Sequence, residues 1–211
     1  MMILHALPLL VLLADDSDKG WKEAAKEDGI TVFRRERADT SVAEMKAVGL
    51  IDAAPIEIWK SIRDYPNYPK TMPYTEESKI LSTEGGDKVT YFYSVINAPL
   101  VDRRDYCIRI LDETDWKNPK APLYLTWKAS DKCIPEKDGL VRVKLNDGYW
   151  KLEARENGAK TFATYYVFTD PGGSIPNWIA NKANSVAVPN VFASIRKVIA
   201  DNRAATDGGK K

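Results

Sequence analysis

Few side chains in this chain are suited to histidine- or cysteine-based chemistry. The only histidine, His5, lies inside an apolar N-terminal run, and the two cysteines, Cys107 and Cys133, are far apart. A zinc site of nitrogen and sulfur ligands, a histidine triad and a histidine acid–base pair are therefore excluded from the body of the chain. The spacing of Cys107 and Cys133 carries no disulfide signature, so two separate buried or half-buried thiols are expected. What remains is the run Arg104-Asp105-Tyr106. On a strand it sends Arg104 and Tyr106 to one face and Asp105 to the other, which makes Arg104 a candidate charge at the mouth of a pocket. Trp59, Trp127 and Trp178 offer large apolar surfaces that fit either a core or a ligand wall, and Asn181 could bond a polar group. Net charge is +1 and no basic run occurs before Lys210-Lys211, so a nucleic-acid partner is not expected.

The elements that must position these residues follow from periodicity. Residues 17–27 place Trp21, Ala24 and Ala25 at helical spacing and predict a short helix ending at Gly29. Strands are predicted at 30–33 and at 42–51, where Met45, Ala47, Gly49 and Ile51 share one face and Glu44 and Lys46 the other. Residues 54–62 predict a helix opened by Pro55, and the prolines at 66, 69 and 73 force an irregular return. Further strands are expected at 77–82, 89–95, 106–111, 123–129, 140–145, 150–154 and 161–169, with Gly148 as a break. Hairpin-length connections imply a meandering antiparallel sheet.

At Asp170-Pro171-Gly172-Gly173 the last strand turns into a long helix over 175–202, kinked or restarted at Pro189, and residues 203–211 read as a disordered tail. A curled sheet with this helix across its concave face is the expected packing. Phe92, Tyr106, Trp127 and Tyr166, alternating with small residues such as Ala47 and Ser94, leave room for a cavity but on pattern alone favour a solid core. Residues 1–14 are apolar and too short to span a bilayer, then turn acidic at Asp15-Asp16, which suits a signal peptide and export to the periplasm or beyond, a cytoplasmic location being the alternative.

The run Tyr166-Val167-Phe168-Thr169-Asp170-Pro171-Gly172-Gly173-Ser174-Ile175-Pro176-Asn177-Trp178-Ile179-Ala180-Asn181, continuing to Val188-Pro189-Asn190, resembles the C-terminal signature of START domains, the StAR-related lipid-transfer family. Ala98-Pro99 ahead of Arg103-Arg104-Asp105-Tyr106, and Gly139-Leu140-Val141-Arg142-Val143, resemble other pieces of it in order and spacing. The resemblance covers about residues 20–202 and is closest to the phosphatidylcholine-transfer branch. It implies an α+β helix-grip fold, a curved antiparallel sheet gripping the C-terminal helix around a hydrophobic tunnel. It also implies a non-catalytic, cofactor-free monomer that carries one phospholipid or sterol-like lipid and touches membranes transiently. By this resemblance the tunnel would be lined by Trp59, Phe92, Arg104, Tyr106, Ile108, Trp127, Asn146, Tyr166, Trp178 and Asn181, with Gly172, Gly173 and Pro189 as hinges of a helical lid. The family's aromatic headgroup box falls on Phe92, Tyr106 and Asn146, its phosphate-binding arginine on Pro66, and the basic member of the sterol branch's buried pair on Ile110. The alternative function is a helix-grip cyclase acting on a hydrophobic substrate.

Overall fold

The computed structural model describes residues 19–99, 101–173, 175 and 177–208, with the side chains of 177–186 and 207–208 outside the description. The expected signal peptide at 1–14 also lies outside it. Among the described residues ten strands form one sheet: β1 Lys22–Glu27, β2 Ile30–Arg35, β3 Glu44–Ile51, β4 Thr75–Glu84, β5 Val89–Ile96, β6 Arg104–Asp112, β7 Leu123–Ala129, β8 Val141–Arg142, β9 Leu145–Arg155 and β10 Lys160–Asp170. The order across the sheet is β1-β2-β3-β10-β9-β7-β6-β5-β4, so its two ends are β1 and β4. Helix α1, Pro55–Arg63, follows β3, the short α2, Tyr68–Thr71, precedes β4, and α3, Asn177–Gly208, closes the chain.

Several local expectations change. Residues 22–27 form a strand instead of a helix, because Asp28 and Gly29 both take positive φ (49° and 74°) and fold β1 back on β2 as a two-residue hairpin. The sheet is not a pure antiparallel meander, since β8 pairs parallel with β6 through Arg104 and Val141. Gly148 does not break its strand: β9 runs through it, and the position is glycine because a Cβ there would collide with the Trp127 ring and the Tyr166 carbonyl. Helix α3 continues through Gly208, so residues 203–208 are helical where a disordered tail was expected, and it passes Pro189 as a single helix.

The cysteines are joined. Cys107 and Cys133 form a disulfide with their Cα atoms 5.5 Å apart. Sequence spacing misses it because the partner lies on the loop between β7 and β8, which folds back over β6. Under that loop Tyr93, Val95 and Cys107 make a small second core with Leu81, Ile134 and Leu140.

The main core lies between the concave face of the sheet and α1 and α3. Met45, Ala47, Phe92, Ile108, Trp127, Trp150, Leu152 and Ala163 from the strands meet Ile58 and Ile62 of α1 and Val188, Phe192, Ile195 and Ile199 of α3. The C-terminal half of α3 is bolted to neighbouring backbone. Arg196 donates to the carbonyls of Asp28 (2.8 Å) and Leu50 (2.9 Å). Arg203 holds Glu57 through two nitrogens (3.1 and 3.0 Å) and the Asp52 carbonyl (3.0 Å).

Candidate functional site

Strand alternation sorts the side chains on the two faces of the sheet. On β6 the inward set is Arg104, Tyr106, Ile108 and Ile110, facing Ile96, Ser94 and Phe92 of β5. On β9 and β10 the register pairs Trp150 with Tyr165 and Gly148 with Val167. Two runs of aromatic rings follow. Tyr65, Tyr68, Phe92 and Tyr106 stand 5.3 to 6.3 Å apart between ring centres. Trp127 stacks on Tyr165 at 5.7 Å, Tyr165 meets Trp150 at 4.7 Å, and Trp150 meets Phe192 of α3 at 5.3 Å.

The phenols set this interior apart from a plain core. Burial pushes the hydroxyls of Tyr68, Tyr106 and Tyr165 up from the ordinary phenol value, and Tyr68 also feels the phenols of Tyr65, Tyr106 and Tyr165. The Tyr65 hydroxyl is raised too, again mainly by burial, with the Arg63 guanidinium acting in the opposite sense. Yet Tyr68, Tyr106 and Tyr165 keep accessible surface. All three rings are half-buried and pack against the main core between the sheet and the helices. Tyr68 donates to the Ile62 carbonyl at 2.5 Å, and Trp127 Nε1 donates to Asn146 Oδ1 at 3.0 Å.

Not every expected lining residue belongs here. Phe92, Tyr106, Ile108, Trp127 and Asn146 all take inward positions. Tyr166 does not. It lies on the outer face, where it stacks on Tyr149 (5.2 Å), meets Trp21 edge-on (6.2 Å) and donates to Glu44 Oε1 (2.7 Å). Its neighbour Tyr165 is the inward residue, because β10 is in register with Ala47 and Trp150 at that point. Trp59 is buried, but its ring contacts run to Trp116 (5.8 Å) and to the Arg63 guanidinium (5.4 Å) instead of to the aromatic array. Trp178 and Asn181 sit on the first turns of α3, with side chains outside the description. Of the two positions expected by resemblance to match basic residues of the family, Pro66 is exposed in the turn before α2 and Ile110 is buried in the core. Sequence reasoning missed Tyr65, Tyr68, Tyr165 and Trp150. Trp150 was readable from strand alternation, Tyr165 needed the register of β10 with β3 and β9, and Tyr65 and Tyr68 were hidden in a proline-rich stretch.

At the end of β6, Arg104 is only 5% exposed. Its Nε donates to the Pro171 carbonyl at 2.9 Å and its Nη1 to the Asp102 carbonyl. Gly172 and Gly173, at φ 66° and 71°, pack on Val141 of β8. A Cβ on Gly172 would lie 3.4 Å from Val141 Cγ1, so the joint between β10 and α3 is seated on β6 and β8. Asp105, facing the other way, is held by a two-nitrogen bridge from Arg142 (2.8 and 2.9 Å). A separate cleft of about 470 Å³ lies over the outward residues Tyr124, Tyr149 and Lys151, with Glu113 and Asp115 at its edge.

A curved sheet closed on its concave side by a C-terminal helix, around an aromatic interior with phenols facing inward, defines a helix-grip protein. Residues 51–196 match the family model described as polyketide cyclase / dehydrase and lipid transport, and the chain belongs to that family. It is 35% identical over 191 residues to an uncharacterized protein of Pseudomonas aeruginosa, covering 87% of each. It is 25% identical over 182 residues to the phosphatidylcholine transfer protein of Bos taurus, covering 86% of this chain and 84% of that one. Its structure is similar to that of a STAR-related lipid transfer protein from Xanthomonas axonopodis, with a TM-score of 0.76 and 26% identity over 85% of this chain and 98% of that one. The START-type helix-grip fold expected from the sequence is the fold observed.

Proposed function

We propose that this chain binds one lipid between the concave sheet and α3 and carries it between membranes without catalysis. The observation that carries this reading is the set of inward phenols, Tyr68, Tyr106 and Tyr165, desolvated yet accessible within an otherwise apolar lining. Enclosure of a lipid is physically apt, since about sixteen methylenes at roughly 0.8 kcal/mol each would cost over ten kcal/mol to leave in water. The relatives named for lipid transfer support the same reading. A cyclase is the weaker one, because the phenols are pushed away from the range useful for proton transfer near neutrality.

Opening would occur at the joint of β10 and α3, supported by two consecutive positive-φ glycines there, while Arg196 and Arg203 hold the far half of the helix. Export by residues 1–14 is supported by the Cys107–Cys133 disulfide, which persists in oxidising compartments. Organic extraction of the purified protein followed by mass spectrometry tests the carrier. A stoichiometric lipid is expected; an empty extract combined with no lipid exchange between vesicles refutes it. Mature protein recovered from the periplasm or medium lacking Met1 would bear out export, and cytosolic protein retaining Met1 would refute it.

A further inference from the structure

We propose that Arg104 anchors an anionic head group of the cargo while it holds the base of α3, so that one guanidinium selects the ligand and fastens the lid. The inference rests on the carrier reading above and deepens it. Arg104 is a buried cation whose two described acceptors are the carbonyls of Pro171 and Asp102; the Asp102 carboxylate acts on it only at a distance, and that effect is smaller than the cost of burial. Its neighbour Asp105 points to the other face and is held by Arg142. The remaining nitrogen, Nη2, is buried with no hydrogen-bond partner among the described residues, and lies 3.8 Å from where a Cβ on Gly173 would stand. A guanidinium stays charged even when burial lowers its basicity, as it does here. A buried cation with an unused donor calls for an anionic acceptor.

The inward polar atoms along the same wall are also donors. The Tyr106 hydroxyl stands two residues further along β6, and Tyr165 faces it from β10 with its electrostatics coupled to Tyr106. Asn146 spends its carbonyl oxygen on Trp127 Nε1, which leaves its NH₂ as the available group. The carboxylate that shares this face of β6, Asp112, is eight residues from Arg104, roughly 27 Å along a strand. It is already taken up by Arg63, Trp116 and the Thr114 amide. A wall of donors around a buried Nη2 with no partner among the described residues suits a phosphate or a carboxylate and disfavours a head group that is positive or donor-rich.

Because Nε of the same side chain holds Pro171, an anion on Nη2 fixes the guanidinium plane and steadies the joint. A neutral cargo leaves that plane free.

The test is lipid transfer by the full chain from donor vesicles carrying a fluorescent phosphatidylglycerol, phosphatidic acid, oleate or phosphatidylcholine. Transfer of the anionic probes is expected to exceed that of phosphatidylcholine by about tenfold, and Arg104→Gln is expected to erase the difference. The phosphate probes against oleate tell which anion is the source. Since Arg104→Gln also frees Pro171, Tyr165→Phe serves as the second variant; it is expected to leave the melting temperature unchanged and cut anionic transfer several-fold. Equal transfer of all four probes by the unaltered protein, or an undiminished preference in a folded Arg104→Gln or in Tyr165→Phe, overturns the proposal and leaves the carrier reading standing. No transfer of any probe overturns the proposal, and together with an empty organic extract it overturns the carrier reading too.

Discussion

Reducing the Cys107–Cys133 bridge should weaken the fold by an amount that its loop length sets. The two cysteines are 26 residues apart in sequence. Closing a loop of that length removes roughly 12 cal/mol/K of chain entropy from the unfolded state, or about 3.5 kcal/mol at 25 °C. For a chain of this size that corresponds to a fall of roughly 7–14 °C in melting temperature. The fold should survive the loss, because the same loop is held independently. Arg142 bridges Asp105, donates to the Ile134 carbonyl (3.3 Å), and follows Val141, which pairs with β6. The assay is thermal and urea unfolding of the oxidised protein, the reduced protein and a Cys107→Ala/Cys133→Ala double variant. The reduced protein and the double variant should both melt lower by that margin, and circular dichroism of the folded baseline should be unchanged. An unchanged midpoint on full reduction, confirmed by thiol titration, would refute the entropic reasoning. Unfolding on reduction at room temperature would refute the independence of the loop.

Other substitutions separate the two faces of the sheet and the two ends of the core. Tyr166→Phe should cost about 1.5–3 kcal/mol in urea unfolding, because it removes a bond to the Glu44 carboxylate, yet leave lipid binding intact since the ring faces outward. Phe192→Ala should cost about 3–5 kcal/mol, since that ring is fully buried against Trp150. Gly148→Ala should cost about 1–3 kcal/mol and shift tryptophan emission, because the new methyl displaces Trp127 from Asn146. Acid should remove the contribution of Glu44. Burial alone would raise its pKa, but hydrogen bonds from Arg35 and Tyr166 more than offset that and hold it below the ordinary 4.5. Its stabilisation is therefore present above that value and lost as pH falls through the depressed one, and Glu44→Gln should flatten the acid limb of stability against pH.

Much of the fold was legible because strand alternation and helix periodicity are local signals. Met45, Ala47 and Ile51 announce their shared face without knowledge of any partner, and the glycines at 172 and 173 announce the turn into α3. The failures were of two kinds. The charged run over β1 reads as helix on spacing, and only the Asp28-Gly29 turn, a hairpin signal passed over, decides otherwise. Tyr165 and Tyr166 are adjacent, so choosing between them needs the register with β3 and β9, a long-range fact. The disulfide was illegible for the same reason, as it depends on a loop crossing back over β6. Arg104 was found by parity with Tyr106, but its unpaired nitrogen emerges only when Pro171 and Asp102 are seen to occupy the others.

The sheet ends at β1 and β4, and both ends carry charge where backbone donors and acceptors go unpaired. Lys22, Glu23, Lys26 and Glu27 are exposed on one edge, and Glu76, Glu77, Lys79 and Glu84 on the other. Joining two such edges would bring ionised groups together and strip their water, so strand addition from a second molecule is opposed. That matters for the carrier proposed above, which would open an apolar interior at intervals. The ribbon most prone to polymerise is guarded at both margins, so in that proposal an opened interior would meet a membrane before it met a second sheet.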